Sequence, residues 1–387
     1  MTVAAVVCEY NPFHNGHNKQ FQQIRRAFGE DTAIVCIMSG NFVQRGEPAI
    51  FPKMVRARAA VECGASLVLE LPVTCALSSA EGFARGAVEI LNRLGVVDCL
   101  CFGSETGDTE TLLETARLLR SPAFSDRLKL ELRERDSFAA ARCRALAALG
   151  ADTSCLERPN DILAVEYCKA LLQTGSALRP VSFRRQGDYH AGIPERENPS
   201  ATSLRRLEDV GQWRDFVPPA AAAVYRDAAV YRRCNGERAM LAVLRSLPEE
   251  AFRTVPFGSE GLWRRFFRAC RQQSSVDGII DAVKSKRYAR SRIARMCLCA
   301  YLGITEQLLQ TPPPYVRVLA LDEQGRQVLK AAGQAGSIPV IHAGERRRES
   351  YFALEQRCDN LFSLFAPQNQ VPDTNLEHKC RVFYKKR

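Results

Sequence analysis

Histidine is scarce in this 387-residue chain, with five in all, and there are two tryptophans and no internal repeat or low-complexity tract. These absences argue against a His-rich metal tract, a solenoid and a disordered linker protein. The fifteen cysteines form no C-x-x-C pair, and neither close pair, Cys99/Cys101 or Cys297/Cys299, has a second pair or a histidine near it. That spacing speaks against structural zinc, and the odd, scattered count speaks against a disulfide framework, leaving reduced thiols that behave as small buried hydrophobes. The first apolar run has no basic flank before it and is interrupted by Glu9 and Asn11, so neither a signal peptide nor a membrane span is expected and the expected location is cytoplasmic. No D-x-D pair suggests itself as a cradle for Mg²⁺.

The chain is 46% hydrophobic and long enough for two domains. Lys and Arg number 54 against 43 Asp and Glu, a formal charge of +11, and a sustained positive field favours a polyanion. The excess is local: residues 251–300 hold eleven Arg and Lys against three acids.

Continuous apolar runs of strand length at 3–8, 32–40, 66–72 and 96–105 alternate with helical patterns at 18–28, 53–65 and 78–95. Strands apolar on both faces and separated by helices predict a doubly wound α/β arrangement with a parallel sheet, which binds ligands at the carboxyl ends of its strands. Charged helical patterns follow over 108–150 and 158–172, then a strand running into a basic loop over 178–190 and a short helix within 197–211. Long helical segments are expected from about 215 to 308, with a small strand, helix, strand unit at 315–344. The predicted division is 1–215 as a catalytic α/β domain and 216–387 as a mainly helical, basic domain.

The first strand feeds "EYNPFHNGH", where His14 and His17 flank Gly16 ahead of a helix. A strand-to-helix loop directs backbone N–H groups and the positive end of a helix dipole at an anion, and imidazoles add donors that follow charge onto bridging phosphate oxygens. A glycine turn in a plain loop is the alternative. The stretch "MSGNFVQRGEP" also falls at a strand end and brings the polar Gln44, Arg45 and Glu47 there.

N-P-x-H-x-G-H after a first strand resembles the phosphate-binding motif of the nucleotidyltransferase superfamily, relatives of class I aminoacyl-tRNA synthetases. Ser200-Ala-Thr202-Ser-Leu-Arg205 resembles that superfamily's second motif, S-x-T-x-x-R at a helix start. There Ser200 or Thr202 can cap the helix and Arg205 can reach a phosphate, although simple capping of a surface helix would look the same. With "MSGNFVQRGEPA", "LVLELP", "SAEGFARGAV", "CFGSE", "RPNDILAVEY" and "SKRYARSRIARM", the chain resembles the bacterial tRNA(Met) cytidine acetate ligase family from residue 3 to at least 300. Where pyridine- and pantetheine-type adenylyltransferases carry glycines or Gly-Thr, this chain has Glu9 and Tyr10.

The resemblance implies a Rossmann-like nucleotidyltransferase domain and an ATP-dependent ligase. Acetate would attack the ATP α-phosphate, acetyl-adenylate would form with loss of pyrophosphate, and the acetyl group would pass to N4 of the wobble cytidine of elongator tRNA(Met). It implies His14, His17 and Arg205 as catalytic residues. The implied ATP site is the loop Val7, Cys8, Glu9, Tyr10, Asn11, Pro12, Phe13, His14, Asn15, Gly16, His17, Asn18, Lys19 and Gln20, with Gly103, Asn160, Arg185, Ser200 and Thr202. Gly103 could equally be a turn glycine, Asn160 a cap after Pro159, and Arg184 could take the place of Arg185. Mg²⁺ would accompany ATP, held largely by the triphosphate.

For the tRNA, "RRFFRACR" and "KSKRYARSRIAR" interleave basic and aromatic residues, with Lys284, Lys286, Arg287, Arg290, Arg292 and Arg295 as phosphate contacts. Tyr288 or Phe267 would stack on a base or pack in a core. An adenylyltransferase acting on a small phosphorylated metabolite, and an RNA-binding protein whose pocket no longer turns over, are the competing readings. Nothing in the sequence sets an oligomeric state.

Overall fold

The computed structural model describes residues 1–132, 137–185, 195–207, 210–345, 347–373 and 376–386. Its strands are β1 (Val3–Cys8), β2 (Ala33–Ser39), β3 (Phe42–Val43), β4 (Glu47–Pro48), β5 (Leu67–Leu71), β6 (Cys99–Ser104), β7 (Arg179–Arg184), β8 (Val316–Leu321), β9 (Val340–His342) and β10 (Phe383–Tyr384). The main sheet runs β10-β8-β5-β2-β1-β6-β7, with β9 also on β8, while β3 and β4 form a separate antiparallel pair. From β5 to β7 all pairings are parallel.

Alternation across each strand explains why these runs are apolar throughout. Val3 and Ala5 of β1, with Val35 and Ile37 of β2, face a core built with the helices Ala80–Leu94 and Pro159–Thr174. Ala4, Val6, Ile34 and Cys36 face the opposite core, with Phe21 and Ile24 of the helix Asn15–Phe28. Both faces are covered, so neither set of positions can be polar. The fifteen cysteines are all free thiols, eleven of them buried.

Two features differ from the sequence expectation. The helix after β1 begins at Asn15 rather than Asn18, placing Gly16 and His17 in its first turn. The tail strands also do not stand apart: β8 lies antiparallel against β5, with Leu67 opposite Leu321, and β9 and β10 extend the same sheet. Residues 316–384 therefore complete the first sheet. Between them, the helix Pro219–Tyr225 packs its Ala221 and Tyr225 into the core under the first sheet, and six helices from Arg233–Ser246 to Glu306–Gln310, most of them short, enclose a second core that also takes in Phe42, Val73 and Leu77. The strand expected to run into a basic loop over 178–190 is Arg179–Arg184, and residues 186–190 of that loop lie outside the described residues.

Chain order reverses at β1, which continues to β2 and β5 on one side and meets β6 and β7 on the other. In such a sheet the crossover helices leave a crevice beyond the carboxyl ends of the strands at the reversal. The turns after β1, β6 and β7 open there.

Candidate active site

Arg56 anchors the strand ends. It is fully buried on the helix Lys53–Glu62, and its guanidinium donates to the carbonyls of Glu9, Ser39, Gly40 and Phe51, tying the carboxyl ends of β1 and β2 together. Burial pulls its pKa down to about 10, still well above neutrality. Beyond Glu9 the chain turns through Tyr10, whose φ of 44° lies in the left-handed region, and through a cis Asn11–Pro12 bond. Tyr10 is held there by its ring, packed edge-on at 4.8 Å from Phe13 and 4.9 Å from His17. Positive φ in a bulky residue is costly and persists only where surrounding contacts enforce it.

His14 and His17 form a reciprocal cap. His14 Nδ1 accepts the Gly16 N–H at 3.1 Å, and His17 Nδ1 accepts the His14 N–H at 3.2 Å. The rings stack with centroids 3.7 Å apart. Because each Nδ1 is an acceptor, each neutral ring carries its proton on Nε2, the nitrogen left for a ligand. Burial, the neighbouring His17 ring and the charges of Arg185 and Arg205 push the His14 pKa well below its usual value; burial and Arg185 bring that of His17 down to about 3. The pair is thus two neutral N–H donors. The sequence reading expected open backbone N–H groups at this helix start, but the Asn15 N–H is taken by the Phe216 carbonyl and the Gly16 N–H by His14. Gly16 has a packing reason as well, since a Cβ there would sit 3.0 Å from His14 Cε1.

The second motif comes to the first across 194 positions. Ser200 caps the helix Ala201–Arg206, accepting the Ser203 N–H at 3.0 Å, and Arg205 donates to the Asn11 carbonyl at 2.7 Å and to the Thr202 hydroxyl at 3.3 Å. Of the two capping candidates, Ser200 is the cap and Thr202 partners the arginine.

The facing wall is a relay from β6 to β7. Glu105 accepts from Asn160 Nδ2 at 2.7 Å and from the Asp161 N–H at 2.8 Å, and so caps the helix Pro159–Thr174. Asn160 Oδ1 in turn accepts from Arg185 Nη1 at 3.0 Å. Gly103 makes room for this arginine, because a Cβ there would lie 2.8 Å from Arg185 Cγ. Between the walls is a cleft of about 360 Å³ lined by Gly16, His17, Lys19, Gln20, Gln22, Gln23, Arg26, Gly103, Phe183, Arg184, Arg185, Asn198 and Pro199. Among the described residues that lining carries four side-chain cations and no carboxylate. Lys19 is braced by Asn198 Oδ1 at 2.9 Å and Glu197 at 3.2 Å.

Of the expected loop residues, Gly16, His17, Lys19 and Gln20 line the cleft. Val7, Cys8, Tyr10 and Phe13 pack in the two cores, and Asn11 spends its side chain on the Ile50 N–H at 2.7 Å. Pro12 is buried at the turn and Asn18 is half-buried on the first helical turn. Asn15 Nδ2 ties down the Arg196 and Asp215 carbonyls. Glu9 accepts the Gln44 N–H at 2.7 Å, and burial raises its pKa. Gln23 and Arg26 were missed, although Gly16, Lys19, Gln20, Gln23 and Arg26 fall on one helical face, a periodicity visible in the sequence. Glu105, inside "CFGSE", was missed because its partner lies 55 positions away. Among the described residues no group of three His, Cys, Asp or Glu could hold a metal ion.

The expected nucleic-acid residues are unequal. Lys284 and Lys286 are exposed, Lys284 with Asp281 at 4.0 Å. Arg287 pairs with Glu260 at 2.8 Å, and Arg290 with Asp277 and Asp281. Arg292 donates to the Phe257 carbonyl at 2.7 Å, and Arg295 is buried, donating to the Gln44 carbonyl at 3.1 Å. Arg295 is therefore a bracket for the β3–β4 turn rather than a surface cation. Tyr288 donates to Glu260, and Phe267 lies under the Arg271 guanidinium, 4.1 Å from ring centroid to Cζ.

Comparison with known proteins gives the family and the fold. The HIGH Nucleotidyl Transferase family model matches residues 1–377. The tRNA(Met) cytidine acetate ligase of Alkaliphilus metalliredigens is 34% identical, covering 100% of this chain and 99% of that protein, and its namesake from Clostridium botulinum strain Langeland is 35% identical over 94% of each. Among solved structures, Thermotoga maritima TmcAL superimposes without ligand at a TM-score of 0.91 and bound with alpha-thio ATP at 0.89, each 30% identical and covering 100% of both chains. The chain therefore belongs to the tRNA(Met) cytidine acetate ligase family of HIGH nucleotidyl transferases.

Proposed function

We propose that this protein is an ATP-dependent ligase that converts acetate to acetyl-adenylate and passes the acetyl group to N4 of the wobble cytidine of elongator tRNA(Met). The observation that carries the chemistry is the cleft itself: neutral His17, its Nε2–H free and its ring stacked on buried His14, lines it beside Lys19, Arg26, Arg184 and Arg185, with no carboxylate among the described lining residues. Such a site attracts a polyphosphate and stabilises negative charge as it moves onto a departing pyrophosphate.

In the first step an acetate oxygen bonds to the α-phosphorus and the bond to the β-phosphate oxygen breaks. The His14 and His17 Nε2–H groups donate to phosphate oxygens, and the arginines neutralise the leaving charge. In the second step the cytidine amine bonds to the acetyl carbon, AMP leaves, and the amine loses a proton. Adenylation makes this possible because free acetate has no adequate leaving group. Gly103 and Phe183 offer the uncharged part of the cleft to the nucleoside. Mg²⁺ would be held by the triphosphate, since the described residues offer no carboxylate set for it; no step here is routed through the ion.

The test is pyrophosphate release from ATP with and without acetate, followed by mass analysis of tRNA(Met). Acetate-dependent release and a gain of one acetyl group on the wobble cytidine are expected. Release that depends on a phosphorylated metabolite and ignores acetate would replace this reading with that of a metabolite adenylyltransferase.

A further inference from the structure

The basic segment between residues 251 and 300 divides into two classes once the side chains are placed. Arg287, Arg290 and Arg292 are held by Glu260, by Asp277 and Asp281, and by the Phe257 carbonyl. Arg265 closes the end of the helix Val276–Val283 by donating to the Ala282 carbonyl at 2.6 Å, with the Lys284 carbonyl 3.4 Å away. A phosphate must compete with a protein acceptor for each of these.

The helix Leu262–Gln272, "LWRRFFRACRQ", is different. It contains no acid, buries Leu262, Phe266, Ala269 and Cys270, and turns Arg264 and Arg268 outward four residues apart. Both are exposed and have no ion pair among the described residues. Arg264 lies over the Trp263 ring at 5.2 Å and Arg253, from the preceding short helix, over the same ring at 5.3 Å. A guanidinium resting on an indole keeps its N–H donors in its own plane, open to a phosphate, while losing rotational freedom. The acids nearest in sequence are Glu249 and Glu250, exposed on the helix of Arg253, and Glu260, which already serves Arg287 and Tyr288. Arg265 ties this helix to the turn that presents Lys286 and Lys284, the latter with Asp281 at 4.0 Å, so the strip of cations continues from one element to the next.

We propose that the face formed by Arg253, Arg264 and Arg268 around Trp263, continued by Lys284 and Lys286, is where this protein docks the phosphate backbone of its RNA substrate. This rests on the ligase reading above for the identity of the RNA. Unpaired, pre-oriented guanidiniums on a rigid helix match a polyanion with regularly spaced phosphates. The arginines already spent on carboxylates and carbonyls contribute little to it.

The experiment is a salt titration of elongator tRNA(Met) transcript binding to the full chain, followed by fluorescence anisotropy. Changing Arg253, Arg264 and Arg268 to Gln is expected to weaken binding and to flatten log K against log[KCl] by about 0.7–0.9 per lost phosphate contact. Acetate-dependent pyrophosphate release without tRNA should stay at the wild-type level. Changing Arg287 and Arg290 to Gln should leave the slope nearly as it was. Arg268→Gln alone, at a side chain with no hydrogen bond, ion pair or ring contact among the described residues, should remove roughly one contact's worth of slope and guards against misfolding of the triple variant. An unchanged slope in both the triple and the single variant would overturn the proposal, whatever else that face binds. Absence of acetate-dependent pyrophosphate release in the wild-type protein would instead overturn the ligase reading.

Discussion

Glu105→Ala tests whether the facing wall of the cleft works as a relay. The carboxylate accepts from Asn160 Nδ2 at 2.7 Å and from the Asp161 N–H at 2.8 Å, and Asn160 passes the constraint to Arg185 at 3.0 Å. Removing it takes away the cap of a sixteen-residue helix, worth about 1 kcal/mol, with a further few tenths from the charge at the helix start. Arg185 then has to be immobilised when ATP binds rather than beforehand, which costs about 0.5–1.5 kcal/mol for a long side chain. The expected result is a KM for ATP raised about two- to tenfold, with kcat in acetate-dependent ATP–pyrophosphate exchange less affected. A merely structural role for Glu105 would lower the thermal midpoint and leave KM alone. A double-mutant cycle with Arg185→Ala separates the two: through a relay, the Glu105 change should cost little once Arg185 is gone. Fully additive losses, or an unmoved KM in Glu105→Ala, would refute the relay.

Other expectations follow from the same geometry. His17→Ala should fold yet lose acetate-dependent pyrophosphate release by on the order of a hundredfold or more, the usual cost of one transition-state donor; near-wild-type turnover would remove His17 from the chemistry. His14→Asn can keep the helix cap, so its thermal midpoint should move less than that of His14→Ala while both lose activity. The histidine pKa values imply an acid sensitivity. His17 binds its proton at about 3 in the folded state and near 6.5 when unfolded, so the unfolded chain takes up more protons as pH falls below about 6.5, and stability falls with it. At about pH 5 the loss from His17 approaches 2 kcal/mol, and nothing is lost above pH 7.5. Urea unfolding at the two pH values should show the drop in the wild type and a smaller one in His17→Asn. Arg317→Met should cost roughly 3–5 kcal/mol, read as a lower urea midpoint, because Glu355 at 2.9 Å would lose its buried cation and Glu70 at 2.7 Å would be left with Lys53 alone.

The doubly wound core was legible because strands buried on both faces become uninterrupted apolar runs, and their short length and regular alternation with helical patterns set them apart from buried helices. The His14/His17 loop was legible because it stood directly after such a run. What escaped was set by partners far away in the chain. "VRVLAL" at 316–321 reads like any buried strand, and nothing within it says that it lies antiparallel against Leu67–Leu71. Lys53 and Arg56 sit in a helix that reads as an ordinary amphipathic one, yet both are buried. Lys53 reaches Glu70 at 3.0 Å and Asp359 at 2.7 Å, and Arg56 reaches four carbonyls. A buried cation is recognisable only together with its acceptors, and here these are up to 306 positions away.

Those buried cations change what the net charge means. Arg56, Lys53, Arg295 and Arg317 all count toward +11, but none presents its charge to solvent. The field a polyanion feels comes from the cations that reach solvent, among them Lys19, Arg26, Arg184 and Arg185 at the cleft, and Arg253, Arg264, Arg268, Lys284 and Lys286 on the helical face. The interior arginines serve the site by another route. Arg56 and Arg205 donate to the Glu9 and Asn11 carbonyls on either side of Tyr10, fixing the turn that aims the two imidazoles. Donors held in place before a ligand arrives need no reorganisation when charge develops, which is where such a site gains most of its rate. Loosening either carbonyl clamp should therefore lower turnover even though Arg56 lies in the protein interior.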